Sequence, residues 1–418
     1  MTAQNSKTSG DPPGVARKSM EQTKLKIVRT PKTWLVYLLL SLYAYCLNVP
    51  GPIAGYLRDE FHMNYTASSM HFSAFALGIL VTGLFGGTLI RRMGHWKVMA
   101  IGAIGLGVGG LILSFGRVPA LTVTGLFLMG CIGTWILSIY PAILDEEMGA
   151  GSPVGISEAN VTASIFASLA PLLVGYLASQ AVGWRLAVIT VALVSLGLGL
   201  WLFITATHQE VEQAEQPTGQ QKSGRLPARY WVLWLALVLG ISIEFCTIYW
   251  GSDFIEKVLG LTRDTATQTV SLFLIGMIIG RFFGGRLLQR ISARNILVGS
   301  ILLGVVGFGL FWTGLNPVVG LIGLFLMGLG VANFYPTILS LAIKSAGAQK
   351  GLAGSRATLA SGVAIFFLPL ILGTLADGIG IKPAFAIVGG LFVLLAVMLV
   401  VADRMKGSWQ AETQERAD

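Results

Sequence analysis

The chain has 418 residues, of which 54% are hydrophobic and only 12% are charged, and its mean hydropathy is +0.73. This composition excludes a soluble domain and indicates an integral membrane protein. The net charge of +9 is not accompanied by a basic, aromatic-rich soluble face. We therefore expect contact with anionic membrane lipid and no nucleic-acid partner.

The N-terminal segment, residues 1–32, is polar and basic and lacks the apolar run and cleavage site of a secretory signal. We expect no cleavage there. The three cysteines, Cys46, Cys131 and Cys246, all lie in apolar runs, which predicts neither a disulfide framework nor a metal site. We expect no cofactor.

Twelve apolar stretches follow in chain order, each close to the ~20 residues that a helix needs to cross a bilayer. Six lie near residues 33–56, 69–90, 97–115, 119–144, 159–181 and 185–206. Six more lie near residues 230–252, 266–288, 294–313, 318–343, 356–377 and 383–402. Because backbone polar groups in lipid must pair within the chain, stretches of this length predict an all-α membrane protein with twelve transmembrane helices.

A polar segment between the two sets, residues 207–229, contains Pro217, Gly219 and Pro227 and is typical of a flexible linker. The predicted organisation has five parts. They are an N-terminal segment (1–32), an N-terminal six-helix bundle (33–206), the linker (207–229), a C-terminal six-helix bundle (230–402) and a tail (403–418).

The two bundles are predicted to be repeats of each other. The hexapeptide Gly-Leu-Phe-Leu-Met-Gly occurs at residues 125–130 and again at 323–328, a displacement of 198 residues that also relates Arg92 to Arg290. A repeat of this length in an apolar chain indicates two pseudo-symmetric halves with a site between them. This arrangement favours a transporter.

Orientation follows from lysine and arginine, which are concentrated in cytoplasmic loops. The segments on the side of the termini carry 23 of the 29 basic residues. We therefore expect a multi-pass protein of the plasma membrane, the inner membrane if bacterial, with the segment, linker and tail in the cytoplasm.

The loops after the second and eighth spans resemble those of the major facilitator superfamily. They read Gly87-Thr-Leu-Ile-Arg91-Arg92-Met-Gly94-His95-Trp96-Lys97 and Gly285-Arg-Leu-Leu-Gln289-Arg290-Ile-Ser292-Ala293-Arg294. The resemblance covers nearly all of residues 30–403 and implies that family's fold of two six-helix bundles, usually monomeric. Arg91 and Gln289 stand where the family usually has an acid that helps to latch the cytoplasmic gate.

A different latch is our hypothesis. Glu158 and Arg356 occupy equivalent positions of the two halves with opposite charges. The resemblance implies that span five packs beside span eight, which would bring Glu158 toward Arg281 and Arg286. The alternative is a set of separate, solvated charges, since exposed pairs contribute only ~0–1 kcal/mol. The predicted latch comprises Glu158, Arg281, Arg286, Arg356, Arg92 and Arg290.

Glu244 is the candidate for proton coupling because it is an acid inside an apolar span. A carboxylate at that depth is costly unless it is protonated, paired or hydrated, so such groups usually line solute or proton paths. The alternative is a neutral carboxyl held by a hydroxyl for helix packing. With Gly240 and Trp250, Glu244 also resembles the seventh span of fucose-permease-like sugar porters. We expect no basic partner near it, which favours an uncharged or cationic solute.

Candidate solute-binding residues lie on spans one, four, seven and ten, which the resemblance implies line the central cavity. They are Tyr43, Asn48, Trp135, Tyr140, Tyr249, Trp250, Asn333 and Tyr335. The aromatic residues fit a plain core or interfacial belt equally well. Pro50 and Pro52 predict a kink in span one, and the Tyr-Pro pairs of spans four and ten predict two matched kinks.

On span five, Asn160, Ser164 and Ser168 share one helix face and either line the cavity or permit close packing, of which we favour packing.

The leading functional hypothesis is a secondary transporter that moves a small organic solute by alternating access, as a proton symporter acting through Glu244. The alternative is a proton-driven multidrug-type exporter. Its usual span-five motif is incomplete here, because the stretch reads Ala170-Pro171-Leu-Leu-Val-Gly175. An enzyme or primary pump is not expected, since the chain has no phosphate-binding loop and no sizeable soluble domain.

Overall fold

Proline residues start several of the helices, as their fixed φ and missing N–H allow. Pro31 begins the first helix behind a Thr30 capping box, in which the Thr30 side chain accepts from the backbone of Thr33. Pro317 begins the tenth span behind Asn316, whose side chain accepts from the backbone of Val319. These caps satisfy N–H groups that lack a partner within the helix.

The computed structural model describes residues 28–205, 225–287 and 290–415, with backbone alone for 84–91, 348, 355 and 406–415. The helices of the N-terminal half are α1 Pro31–Asn48, α2 Pro50–Phe61, α3 Tyr65–Met93, α4 His95–Phe115, α5 Pro119–Met148, α6 Ser152–Ala178 and α7 Arg185–Thr205. Those of the C-terminal half are α8 Ala228–Leu259, α9 Arg263–Thr269, α10 Ser271–Leu287, α11 Ala293–Thr313, α12 Pro317–Val331, α13 Phe334–Ser345, α14 Lys350–Ile379 and α15 Ile381–Glu415.

These helices form the twelve predicted spans. Nine helical stretches of the described chain are long and apolar enough to cross a membrane, and the pair α1–α2, bent by 41°, adds another. One of the nine, Pro119–Ala178, has 60 residues and contains α5 and α6, which Gly149 separates at a positive φ of 50°. The remaining span is α3, with 29 residues. The all-helical prediction is confirmed.

The kinks follow the predicted prolines only in part. The bend between α1 and α2 at Pro50 confirms the kink of span one. Span ten is interrupted between α12 and α13, just before the Tyr335-Pro336 pair. In span four, Pro141 lies inside the continuous helix α5. Only the second Tyr-Pro motif therefore coincides with a break in its helix, and a matching kink at Pro141 stays a prediction.

The two halves meet through pairs of helices that the repeat relates to each other. α3 packs against α14, and α6 packs against α9 and α10, while α2 also contacts α8. Because α3 corresponds to α10 and α6 to α14 under the displacement of 198 residues, these contacts are two copies of one arrangement. The expected neighbourhood of spans five and eight is confirmed.

Glycines bring helices into backbone contact at equivalent points of the halves. A Cβ at Gly130 would collide with the backbone of Phe75, and a Cβ at Gly328 would collide with the backbone of Phe273. Both residues of the first pair map onto the second at the 198-residue displacement. Close packing through small residues is a main source of helix association in lipid.

We expect Gly328→Ala to lower the melting temperature of the purified protein, because overpacking a close contact costs about 1–3 kcal/mol. The matched control is Gly309→Ala, where an added Cβ meets nothing within 4 Å and which should leave the melting temperature unchanged or slightly raised. Equal melting temperatures for both variants would contradict the close contact at Gly328.

Candidate functional site between the two halves

Glu244 lies in the middle of α8 with 16% of its side chain exposed. Its charged partner is Arg281 of α10, whose Nη2 lies 3.7 Å from Glu244 Oε1. An ion pair joined by a hydrogen bond usually has an N–O distance of about 2.7–2.9 Å, so these charges face each other without a hydrogen bond. The expectation that Glu244 has no basic partner was wrong.

Arg281 also reaches the other half. Its Nη1 donates to Ser164 Oγ of α6 at 3.4 Å. One turn earlier on α6, the Asn160 amide donates to the Tyr140 hydroxyl at 3.1 Å. Ser164 therefore contacts the other half, while the bond of Asn160 stays within the N-terminal half, and the choice between cavity lining and packing on this face stays open.

Tyr335 completes this group. It is 37% exposed and lies within electrostatic range of Glu244, Arg281 and Tyr140. We call Glu244, Arg281, Ser164, Asn160, Tyr140 and Tyr335 the central cluster. It offers a small molecule a carboxylate, a guanidinium, hydroxyls, an amide and aromatic faces from both halves.

Buried aromatic rings lie next to the central cluster, farther along α8. Tyr249 stacks on Phe72 of the other half with ring centroids 4.4 Å apart, and Trp250 meets Phe72 at 5.1 Å and Tyr65 at 5.5 Å. The indole of Trp250 donates to the Pro369 carbonyl at 2.9 Å. We call Phe72, Tyr65, Tyr249 and Trp250 the aromatic plug. Trp250 is fully buried in it and so does not line an open cavity in this structure.

Beyond the plug, the ends of the spans opposite the termini carry a buried ion pair between the halves. Both guanidinium Nη atoms of Arg58 donate to the carboxylate of Asp253. The side chains are 9% and 1% exposed, respectively. The Arg58 guanidinium also lies 4.3 Å from the centre of the Tyr65 ring, a favourable cation–π distance.

Three further polar contacts between the halves surround that pair. Arg263 donates to Asp59 and to the Gly55 carbonyl. The Tyr56 hydroxyl donates to Asp264 at 2.6 Å.

Asp377 of α14 accepts from the backbone N–H groups of Tyr65 and Thr66, each at 2.8 Å, and caps the start of α3. Together with Arg58–Asp253 these contacts form the outer layer, comprising Arg58, Asp59, Tyr56, Asp253, Arg263, Asp264 and Asp377. This end of the molecule is closed.

Sequence analysis did not identify the outer layer. Its charges stand near the ends of spans, where solvated charges are common, and the pairing joins residues about 200 positions apart. The sequence contains one indication of the outer layer, because Arg58 and Arg263 lie on the side of the membrane that is poor in basic residues.

At the end near the termini, Glu158 has other partners than those predicted. It accepts from Arg29 Nε at 2.9 Å and from the Tyr37 hydroxyl at 3.0 Å, both in its own half. The predicted partner Arg281 lies against Glu244 instead, and the Arg286 guanidinium lies 3.8 Å from the Phe282 ring centre. The expected contact of Glu158 with Arg281 or Arg286 is therefore not formed in this structure.

The other predicted latch residues, Arg92, Arg290 and Arg356, have exposed side chains. Gln289 and the side chain of Arg91 lie outside the described residues.

Two of the predicted binding residues make structural contacts. The Asn333 amide donates to the Gly280 carbonyl at 3.3 Å, where it packs on α10. The Tyr43 hydroxyl shares a hydrogen bond of 3.0 Å with Thr134 inside the N-terminal half.

Asn48 and Trp135 have less defined surroundings. Asn48 is buried and donates to the Ala44 carbonyl at 2.8 Å, while its Oδ1 has no partner among the described residues. Trp135 is half-buried.

Two similar six-helix halves with a polar cluster between them, closed at one end, have the architecture of a membrane transport protein. The chain belongs to the Major Facilitator Superfamily, whose family model matches residues 34–270 and 232–417. These two overlapping matches agree with the internal repeat, and the resemblance found in the loops is confirmed.

Known proteins of several substrate classes are similar to this chain. A glucose/galactose transporter of Brucella abortus biovar 1 (strain 9-941) is 26% identical over 368 residues, covering 81% of this chain and 86% of that protein. Among solved structures, the nucleoside transporter NupG has a TM-score of 0.71 at 14% identity, covering 89% of this chain and 99% of that chain. The xylose transporter XylE from E. coli has a TM-score of 0.68 at 15% identity, covering 88% and 96%. At these identities the structures establish the fold alone.

We expect the buried pair Arg58–Asp253 to stabilise this conformation strongly. Removing one partner leaves an uncompensated buried charge, which costs about 3–5 kcal/mol, so Arg58→Ala and Asp253→Ala should each lower the melting temperature markedly. The double variant should be less damaging than the two effects combined. The control is Arg117→Ala, because Arg117 is 73% exposed beside Glu60 and such pairs contribute at most about 1 kcal/mol. Strict additivity in the double variant would show that the two charges do not interact.

Proposed function

We propose that this protein is a secondary active transporter that couples entry of a small polar organic solute to a proton, by alternating access and with Glu244 as the proton site. The observation that supports this most directly is the environment of Glu244. Its ion contact with Arg281 is its one polar contact with the described part of the chain. A carboxylate with free acceptor sites in a bilayer has the chemistry of a proton-binding group.

Alternating access is supported by the order of the layers along α8. Glu244, the plug residues Tyr249 and Trp250, and the outer-layer residue Asp253 follow each other over about 14 Å of one helix. The solute is expected to reach the central cluster from outside after the plug and outer layer separate, and to leave it through the end near the termini. The lysine and arginine distribution supports assigning the end near the termini to the cytoplasm.

The exporter alternative is less well supported. A multidrug-type exporter carries lipophilic cations, and the central cluster exposes 39% of the Arg281 side chain beside Glu244. A fixed positive charge at that position repels a cation. The names of the similar proteins, which include sugar and nucleoside transporters, support a small polar solute as well.

We propose that Glu158 takes part in closing the end near the termini. α6 and α10 run antiparallel, and Ser164 lies opposite Arg281 at 3.4 Å. Glu158 is six residues nearer the termini, about 9 Å along the helix, which puts it level with Arg286. When the halves close there, Glu158 would leave Arg29 for Arg286, whose guanidinium now rests on Phe282.

The proton site is tested in proteoliposomes that contain a pH-sensitive dye. Sugars, nucleosides and small organic acids are added one by one. We expect Glu244→Gln to abolish solute-driven proton movement, because an amide cannot bind the proton, while a solute still raises the melting temperature. The control is Glu146→Gln, an exposed acid at the end of α5 that contacts His95, with unchanged proton movement. Unchanged proton movement in Glu244→Gln would rule out Glu244 as the coupling site.

The latch is tested by charge reversal. Glu158→Arg and Arg286→Glu should each slow transport, since each leaves like charges facing each other on closure, and the combined variant should recover most of the rate. The control combines Glu158→Arg with Lys344→Glu, an exposed charge on α13, and should not recover. Absence of recovery in the Glu158–Arg286 swap would show that these two residues do not pair when the halves close.

A further inference from the structure

Arg281 is the one charge that the described contacts connect to both halves at the level of the central cluster. It faces Glu244 of its own half at 3.7 Å and donates to Ser164 of the other half at 3.4 Å. Both distances are longer than those of a tight charge-assisted hydrogen bond. The guanidinium is thus held loosely by two partners and can exchange either of them for a better acceptor.

We propose that Arg281 binds an acidic group of the solute, so that the transported molecule is a small organic anion, in its simplest form a monocarboxylate, and its proton travels on Glu244. This inference rests on the proposed function and names the class of solute. It replaces the uncharged or cationic solute that the sequence favoured, since the premise of that expectation was the absence of a basic partner.

The charge balance of the central cluster supports an anionic solute. The described groups facing one another there include one positive and one negative charge, Arg281 and Glu244. A bound carboxylate pairs with Arg281, and a proton on Glu244 removes the remaining negative charge, so the occupied site is again neutral. A neutral solute with the same proton would leave the Arg281 charge without an anionic partner between the two halves, which is less favourable. A cation would meet repulsion from Arg281.

The exposure of the two side chains supports the same assignment. Arg281 is 39% exposed and Glu244 is 16% exposed, so a solute that enters the space between the halves meets the guanidinium first. Arginine presents its N–H groups as a planar fork that matches the two oxygens of a carboxylate. A carboxylate is therefore a better partner for Arg281 than the more distant Glu244 or the neutral hydroxyl of Ser164.

The other ionisable groups near this pair do not compete with the solute. Tyr335 on α13 and Tyr249 on α8 are phenols within electrostatic range of Glu244. The acids farther along α8, Asp253 and Glu256, are paired with Arg58 and Arg263. On α6, Glu158 is bound to Arg29.

The solute carboxylate forms an ion pair with Arg281, which moves away from Glu244. A hydronium ion from the open side gives its proton to a Glu244 oxygen, forms the carboxylic O–H bond and leaves as water. Ser164 and Asn160 can then donate to the solute. The solute thereby replaces the direct contact between Arg281 and the N-terminal half.

The solute class is tested in proteoliposomes with matched pairs of probes, which are gluconate with glucose, lactate with propane-1,2-diol, and benzoate with benzyl alcohol. We expect at least one carboxylate to raise the melting temperature and to enter together with a proton without creating a membrane potential. Its neutral counterpart should be poorer by roughly 100-fold or more, because a site built for a polar group rejects an analogue that lacks it. A neutral probe that binds as well as its carboxylate, or a panel in which no carboxylate binds, would overturn the anion assignment.

The role of Arg281 is tested with three variants. Arg281→Gln should lose the stabilisation by the carboxylate, and Arg281→Lys should keep part of it because the charge remains. The control Arg294→Gln should behave as wild type, since the Arg294 side chain is 74% exposed at the start of α11. If Arg281→Gln is still stabilised equally by the carboxylate, Arg281 is not the anion site.

A second readout needs no transport. An apolar carbodiimide modifies carboxyl groups in their protonated form, so labelling of Glu244 reports its proton. Labelling should rise when the carboxylate is added to wild type and should already be high in Arg281→Gln without it. Equal labelling in both proteins would overturn the exchange between Arg281 and Glu244.

Two results would distinguish the anion site from the proton symport. Carboxylate entry without proton movement would support the anion site and defeat the proton symport. Proton movement driven by a neutral probe alone would support the symport and defeat the anion site.

Discussion

The structure depends on ion pairs between the halves that lipid cannot solvate, above all Arg58 with Asp253. The apolar faces of the two six-helix halves gain little by association in a bilayer, because lipid chains are as apolar as leucine. A buried guanidinium and carboxylate behave differently, since separating them inside the membrane leaves two uncompensated charges. This pair, with side chains 9% and 1% exposed, therefore defines which end of the molecule is closed. Separating the two charges would therefore need water to enter between the halves.

One helix connects that closure to the central cluster. α8 carries Glu244, then the plug residues Tyr249 and Trp250, then Asp253. Any change at Glu244 that moves α8 also moves Tyr249, Trp250 and Asp253, because the helix is continuous over this stretch. In our proposal the charge on Glu244 changes during each transport cycle, and the closed end lies only about two and a half turns away.

The two halves share their helix packing but differ in their charged residues. Backbone contacts through Gly130 and Gly328 are equivalent in the two halves. The charged groups are not. Under the same displacement, Glu244 corresponds to Cys46, Arg281 to Gly83, and Arg58 to the oppositely charged Glu256. Identical halves would place like charges at equivalent positions, whereas this chain places groups of different charge there, so that attraction across the interface is possible.

The sequence by itself determined the all-helical membrane fold and the twelve spans, because hydropathy is a property of local segments and lipid forces apolar segments to form helices. It also determined the duplication, because matching residues recur at one displacement along the chain. It also singled out Glu244 as an acid inside an apolar span, since the cost of burying that charge is evident without knowing its partner. It did not identify Arg281 as the partner of Glu244, Arg29 as the partner of Glu158, or the Arg58–Asp253 pair. Those contacts depend on the tilt and register of helices distant in the chain, and small differences in either decide which charge faces which. Only the tertiary structure, which sets that register, decided the polarity of the site and which end is closed.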